Sequence, residues 1–267
     1  MTGIQWTDET WNPTTGCDKV SPGCGLPRFE GDGTGGCYAM TMAKRLKGMG
    51  QAKYQADGNP ATSGPGFGLT LHPDALNIPR HWRKPRRIFV NSMSDLFHAR
   101  VPLEFVRQVF DVIADTPQHT YQVLTKRASR LPRVAGKLDW PPNLWMGVSV
   151  ESAEYMDRAD DLRAVPAAVR FLSLEPILGP LPALNLDGIG WAIVGGESGP
   201  GARPMKLAWA REIVQQCREA DTTPFVKQLG AVLGRELGAD SHGSDWDYWP
   251  ADLKIREFPS VREEVPA

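Results

Sequence analysis

The stretch Arg87-Ile-Phe-Val-Asn-Ser-Met-Ser-Asp95 sets the pattern of the chain: four residues of strand character, then an abrupt polar run. The pattern recurs downstream. Residues 120–124 read as a strand ending in Thr125-Lys126-Arg127, and 144–150 end in Glu151. Residues 170–174 end in Glu175-Pro176, 191–194 in Gly195-Gly196-Glu197-Ser198, and 224–228 close on Lys227 and Gln228. Between them, Leu103–Ala114 and residues 153–164 and 207–220 carry helical apolar spacing. Short apolar strands alternating with helices imply βαβ units and a parallel sheet. Six or seven such units predict an α/β fold, a (β/α) TIM-type barrel or partial barrel. One domain is expected over residues 1–237, with a C-terminal extension over 238–267.

In parallel α/β barrels the carboxyl ends of the strands form the active-site mouth. The polar residues that follow the strands are therefore the candidates for binding: Asn91, Ser92, Ser94 and Asp95; Lys126; Ser149 and Glu151; Glu175; Glu197 with Arg203; and Lys227. Residues 4–6 read as the first strand and feed a loop over 11–46 onto the same rim. That loop holds Cys17, Cys24 and Cys37, three of the four cysteines, in a Gly- and Pro-rich setting; Tyr38 then opens a basic helix. Residues 25–36 and 51–67 read as irregular, 68–71 as a short extended piece, and 259–267 as frayed.

The chain has 267 residues, 41% of them hydrophobic, enough for a sizeable core. Its 30 cations and 31 anions leave a net charge of −1, so any nucleic-acid contact needs a local patch. The most basic run is Arg80–Arg87, with Arg83, Lys84 and Arg86 as candidate contacts. No apolar run is long enough to span a membrane, and the opening MTGIQWTDETW has no leader-like composition. A cytoplasmic protein, bacterial or in a phage-infected cell, with reduced thiols is expected.

Thiolates gathered in a loop are metal ligands, and soft sulfur selects zinc, Cu(I) or iron–sulfur clusters. A closed zinc site wants four protein ligands. Here three cysteines are local and every histidine is distant in sequence. A three-thiolate set suits a [4Fe–4S] cluster whose fourth iron takes a small molecule. The alternative is a zinc site completed by a distant histidine or Cys217, in a nucleic-acid-binding protein without catalysis. A third reading is a degenerate barrel that has lost the cluster. Cys217 itself, within a helical pattern, reads as a small buried apolar residue.

The strings WNPTTGCDKVSPGC, CYA, RRIFVNSMSDLF, VLTKR, WMGVSVE, SLEP and VGGESGPGARPM resemble the phage-associated three-Cys-motif protein family. That family is similar to radical S-adenosylmethionine (SAM) enzymes, especially the branch that includes spore photoproduct lyase. The resemblance implies a barrel of the radical-SAM kind, a [4Fe–4S] cluster on Cys17, Cys24 and Cys37, and SAM on its open iron. It further implies Asn91, Ser92, Ser94 and Asp95 around the methionyl end, Lys126 on the SAM carboxylate, Ser149 and Glu151 at the ribose, and Tyr38 against the adenine. Glu175 and Glu197 complete the expected cofactor set. A reductant protein, a partner protein encoded nearby, and a nucleic-acid substrate for repair or modification follow by analogy. The chain departs from the pattern in having twelve residues between Cys24 and Cys37 where two are usual, and Gly36 where an aromatic is usual.

Overall fold

The computed structural model describes residues 3–25, 37–54, 67–199 and 201–260. The readings for 26–36, 55–66 and 261–267 lie outside them. Nine strands are described: β1 (Glu9–Thr10), β2 (Thr14–Thr15), β3 (Thr70–Leu71), β4 (Arg87–Val90), β5 (Thr120–Thr125), β6 (Leu144–Ser149), β7 (Val169–Leu174), β8 (Trp191–Gly195) and β9 (Thr223–Gln228). The helices are α1 (Tyr38–Gly48), α2 (Leu103–Ala114), α3 (Leu131–Val134), α4 (Arg158–Arg163), α5 (Leu207–Glu219) and α6 (Ala231–Leu237).

Seven strands form one sheet in the order β1-β4-β5-β6-β7-β8-β9, every pair parallel, while β2 and β3 form a small antiparallel ribbon. Each strand of the main sheet lies beside the next one in sequence. That is the winding of a barrel wall, with none of the order reversals of a doubly wound sheet. All six residues of β6 are buried, as expected of a strand covered on both faces.

The sheet is curled into a half-barrel. Trp6, just before β1, has its ring centroid 6.2 Å from that of Trp191 on β8. Five strand spacings separate those strands along the order, about 24 Å in a flat sheet. Trp6 also meets Phe89 at 4.7 Å and accepts a hydrogen bond from Gln122 at its carbonyl. The hollow is filled by Trp6, Phe89, Trp145, Phe171, Trp191 and Phe225 with Val169 and Ile193. Gly147 on β6 makes room for this layer, since a Cβ there would meet the Phe171 ring at 2.3 Å. Residues 4–6, expected as the first strand, are thus packing residues of the hollow. The strand itself is Glu9–Thr10, paired with Ile88 and Phe89.

The outer face of the sheet is covered by the helices. α2 buries Phe105, Val106, Val109, Phe110, Val112 and Ile113, a stripe at helical spacing. α5 buries Ala210, Ile213 and Cys217. The expected helix over 153–164 is a 3-10 turn (Ala153–Tyr155) followed by α4, because Arg158 turns inward to Glu151. Residues 249–258 pack on the same body. Trp249 and Leu253 join the main core, Val226 donates its N–H to Ile255 O, and the Phe258 ring meets Trp191 at a tilt and Phe225 edge-on. Among the described residues no helix is long and apolar enough to cross a membrane.

Trp191 touches Trp6, Trp145, Phe171, Phe225 and Phe258. Trp191→Ala should therefore lower the unfolding free energy by about 3–5 kcal/mol in a denaturant titration. A loss under about 1 kcal/mol would show that the aromatic layer is not the inner core.

Candidate functional site

The Trp11–Cys17 segment is tied to the rim residue by residue. Trp11 is buried and donates its indole N–H to Ala75 O. Asn12 Oδ1 accepts the Met93 N–H at 3.0 Å, and Asn91 Nδ2 donates to Thr14 Oγ1 at 2.7 Å and Thr14 O at 3.2 Å. Thr15 Oγ1 lies 2.8 Å from His72 Nε2. Gly16 has φ +80 and would place a Cβ 1.9 Å from Gly68 O, so only glycine fits there. Its carbonyl accepts from Ser94 Oγ at 2.6 Å. Cys17 follows directly on this anchored turn.

Cys17, Cys24 and Cys37 line a single cavity of about 170 Å³ at the carboxyl ends of β4, β5 and β6. Asn91, Ser92, Ser94 and Asp95 contribute from the β4 end, and Lys126 and Ser149 from β5 and β6. Nine of the sequence-derived candidates are thus gathered in one place. Phe67, Phe89 and Leu124 form its apolar floor. Lys126 Nζ donates to Ser149 Oγ at 3.0 Å and has no carboxylate partner among the described residues. Asn91 is buried and its Oδ1 has no hydrogen-bond partner among the described residues. The cavity therefore offers a cation and an open acceptor beside the sulfurs.

The carboxylates do something other than the sequence reading expects. Asp95 lines the cavity, but its oxygens accept from Thr125 Oγ1 at 2.7 and 2.9 Å, from Phe97 N–H at 2.9 Å and from Lys126 N–H at 3.0 Å. It also faces Arg127 at 3.9 Å. Arg127 Nη2 in turn reaches Cys17 Sγ at 3.6 Å and Asp18 O at 3.0 Å. Glu151, expected at a ribose, is fully buried, pairs with Arg158 at 2.9 Å and accepts the Gly23 N–H at 3.2 Å. Glu197 takes a bidentate grip from Arg203, with contacts of 2.7 and 2.6 Å, and Arg203 Nη2 donates to Pro22 O at 3.0 Å. Two acid–arginine pairs from β6 and β8 thus hold the Pro22–Cys24 turn. A buried charge with several charge-assisted bonds is stable only when satisfied in this way.

Other candidates stand apart. Glu175 and Lys227 form an ion pair at 3.1 Å away from the cavity lining. Tyr38, expected against an adenine, is 63% exposed and does not line the cavity. Arg83, Lys84 and Arg86 precede β4, at the end of the sheet opposite the cavity. In that basic run Arg80 pairs with Asp115, Arg86 with Glu9 and Arg87 with Asp8. Three of its five cations are thus paired with acids, and the run lies away from the cavity. Cys217 is buried in the core under the sheet, so it does not complete a zinc site with the loop cysteines. Among the described residues no group of three Cys, His, Asp or Glu side chains stands ready to hold one metal ion. A cluster asks for something different, because each thiolate then holds its own iron. Arg158 and Asn12 escape the sequence reading, which has Arg127 only as one of the polar residues that follow a strand. Arg158 could have been found from the Glu151 spacing, seven residues on in the next helical pattern.

Burial, reinforced by the Asp95 carboxylate, pushes the Cys17 thiol up to about 12. Burial also pushes up Cys37, although the Met40 and Ala39 N–H groups at the start of α1 favour its thiolate. Without a metal these sulfurs keep their protons.

The chain belongs to the family described as "Protein of unknown function (DUF5131)", which matches residues 1–250. No curated protein and no solved structure matches the chain.

Two outcomes test this geometry. Glu151→Ala leaves Arg158 buried and unpaired, so stability should fall by about 3–5 kcal/mol; unchanged stability would mean that Glu151 is held for a ligand and not for the fold. The thiol shifts set a pH dependence for the metal-free protein. Cys17 and Cys217 bind protons more tightly folded than unfolded, with values near 12 against 9.0. Stability should be full below about pH 9 and decline toward pH 12, and a Cys217→Ala variant should decline less steeply in the same melting series.

Proposed function

We propose that this protein is an iron–sulfur enzyme of the radical-SAM type, built on a partial barrel of that kind. The observation that carries the reading is the meeting of Cys17, Cys24 and Cys37 on one small cavity at the strand ends. The donor set fits: three soft sulfurs, no fourth cysteine or histidine lining the cavity among the described residues, and a neighbouring cation and acceptor. Cys17, Cys24 and Cys37 would hold a [4Fe–4S] cluster. Bound there with SAM, the cluster supplies one-electron reductive cleavage of the sulfonium, fed by a reductant protein.

The chain's own part is binding, orientation and exclusion of water. Lys126 is the group for a ligand carboxylate, and Asn91 Oδ1, otherwise unpartnered, is the acceptor for a ligand ammonium. Phe67, Phe89 and Leu124 keep the floor dry. Arg127, donating to Cys17 Sγ, stabilises the deprotonated sulfur that a metal requires. Asp95, Glu151 and Glu197 act at one remove, by fixing the cysteine turns.

Anaerobic reconstitution with iron and sulfide should give about four irons per chain. Cys17→Ala, Cys24→Ala and Cys37→Ala should each lose them, and Cys217→Ala should retain them. Incubation of the reconstituted protein with SAM and dithionite should release 5′-deoxyadenosine. A colourless protein carrying one zinc, or iron retained in all four cysteine variants, would contradict the assignment.

A further inference from the structure

The surface beside the cavity has an unusual charge. Residues 37–54 carry Lys44, Arg45, Lys47 and Lys53 and no Asp or Glu, in a chain whose cations and anions balance overall at 30 and 31. Elsewhere many surface arginines pair with acids: Arg80 with Asp115, Arg107 with Glu104, Arg163 with Asp160, Arg211 with Asp252 and Arg218 with Glu257. Lys44 and Arg45 are exposed and have no acidic partner among the described residues. Unneutralised cations on one face are the electrostatic footprint of a polyanion.

The helix geometry places an aromatic in the same line. α1 buries Ala39 and Ala43 against Tyr54, Phe67 and Met93. Its outward positions are Tyr38, Thr41, Lys44, Arg45 and Gly48, which recur at helical spacing and are all exposed. Tyr38 is the most solvent-exposed aromatic of the described residues that also adjoins the site: its neighbours Cys37 and Ala39 both line the cavity. An exposed ring at one end and two cations two turns away, without acidic partners among the described residues, form a stacking platform with a phosphate track.

We propose that the outward face of α1 is a docking surface for single-stranded nucleic acid, with a base stacked on Tyr38 at the cavity mouth and phosphates on Lys44 and Arg45. The surface stands without a cofactor; only the further step, that the docked strand is what the site acts on, rests on the function proposed above. The choice of a single strand follows from Tyr38, because a duplex hides its base faces. The geometry also moves the contact from Arg80–Arg87, which lies at the far end of the sheet from the cavity and has Arg80, Arg86 and Arg87 paired with acids.

The test is fluorescence anisotropy of a labelled oligothymidylate of about twenty nucleotides against full-length protein over a range of salt, on metal-free and iron-loaded samples alike, so that docking and cofactor are judged separately. Wild type should bind, with affinity falling steeply with salt. A Lys44→Glu/Arg45→Glu double variant should bind at least about tenfold more weakly, with the log–log salt slope shallower by about 1.4. Tyr38→Ala should weaken binding about tenfold with the slope unchanged, and Tyr38→Phe should restore it. Arg83→Glu/Lys84→Glu should bind as wild type does. These positions are exposed, and unchanged thermal melts verify folding. No binding at low salt, an equal loss in the Arg83/Lys84 variant, or tight binding to anionic lipid vesicles that the oligonucleotide does not compete away would overturn the proposal.

Discussion

A buried carboxylate must be satisfied, and in this protein three of them are satisfied by holding cysteine turns in place. Asp95, Glu151 and Glu197 sit at the ends of β4, β6 and β8, where removal from water would be costly without partners. Each takes an arginine, and two of those arginines reach the cysteine segment directly: Arg127 meets Cys17 and Asp18, and Arg203 meets Pro22. Glu151 reaches it by the Gly23 N–H. The parallel sheet makes this arrangement geometrically natural, because its winding brings all three strand ends to one rim. The irregular chain around Cys17 and Cys24 is fixed by that rim.

The same burial that fixes the sulfurs sets their chemistry. Cys17 and Cys37 keep their protons in the absence of metal, since their thiolates would be buried anions. A metal supplies the charge that makes deprotonation favourable, so loading is coupled to proton release. Arg127 lowers that barrier at Cys17, and the first amides of α1 do so at Cys37. Lys126 lines the same cavity as these sulfurs and donates to Ser149, with no acid to neutralise it among the described residues, which leaves its charge available to a bound anion.

Much of this fold is legible in the sequence, because β4 to β9 are apolar runs closed by polar residues and α2 is a clean amphipathic stripe. Arg87–Val90 and Leu103–Ala114 have the limits that the pattern alone indicates. The first strand is illegible because it is two residues long, and the apolar residues before it pack into the hollow instead of pairing. The gathering of the three cysteines with Asn91, Ser92, Ser94, Lys126 and Ser149 follows from one rule about strand ends. The roles of Glu151 and Glu197 do not follow, since a carboxylate after a strand looks the same whether it faces a ligand or an arginine. Only Arg158 and Arg203, brought back by the local turn, decide the matter. The basic run Arg80–Arg87 misleads for a similar reason: its acidic partners Asp8, Glu9 and Asp115 lie far off in the chain.

The shared cavity is the claim on which the rest depends, and thiol bridging measures it without any metal. Dibromobimane fluoresces only when it links two neighbouring thiols. In native metal-free protein, peptide mapping should find bridges among Cys17, Cys24 and Cys37, with Cys217 unmodified, and the bridges should disappear in denaturant. Bridging no faster in the folded protein than in the unfolded chain, or Cys217 reacting as readily as the loop cysteines, would contradict the account.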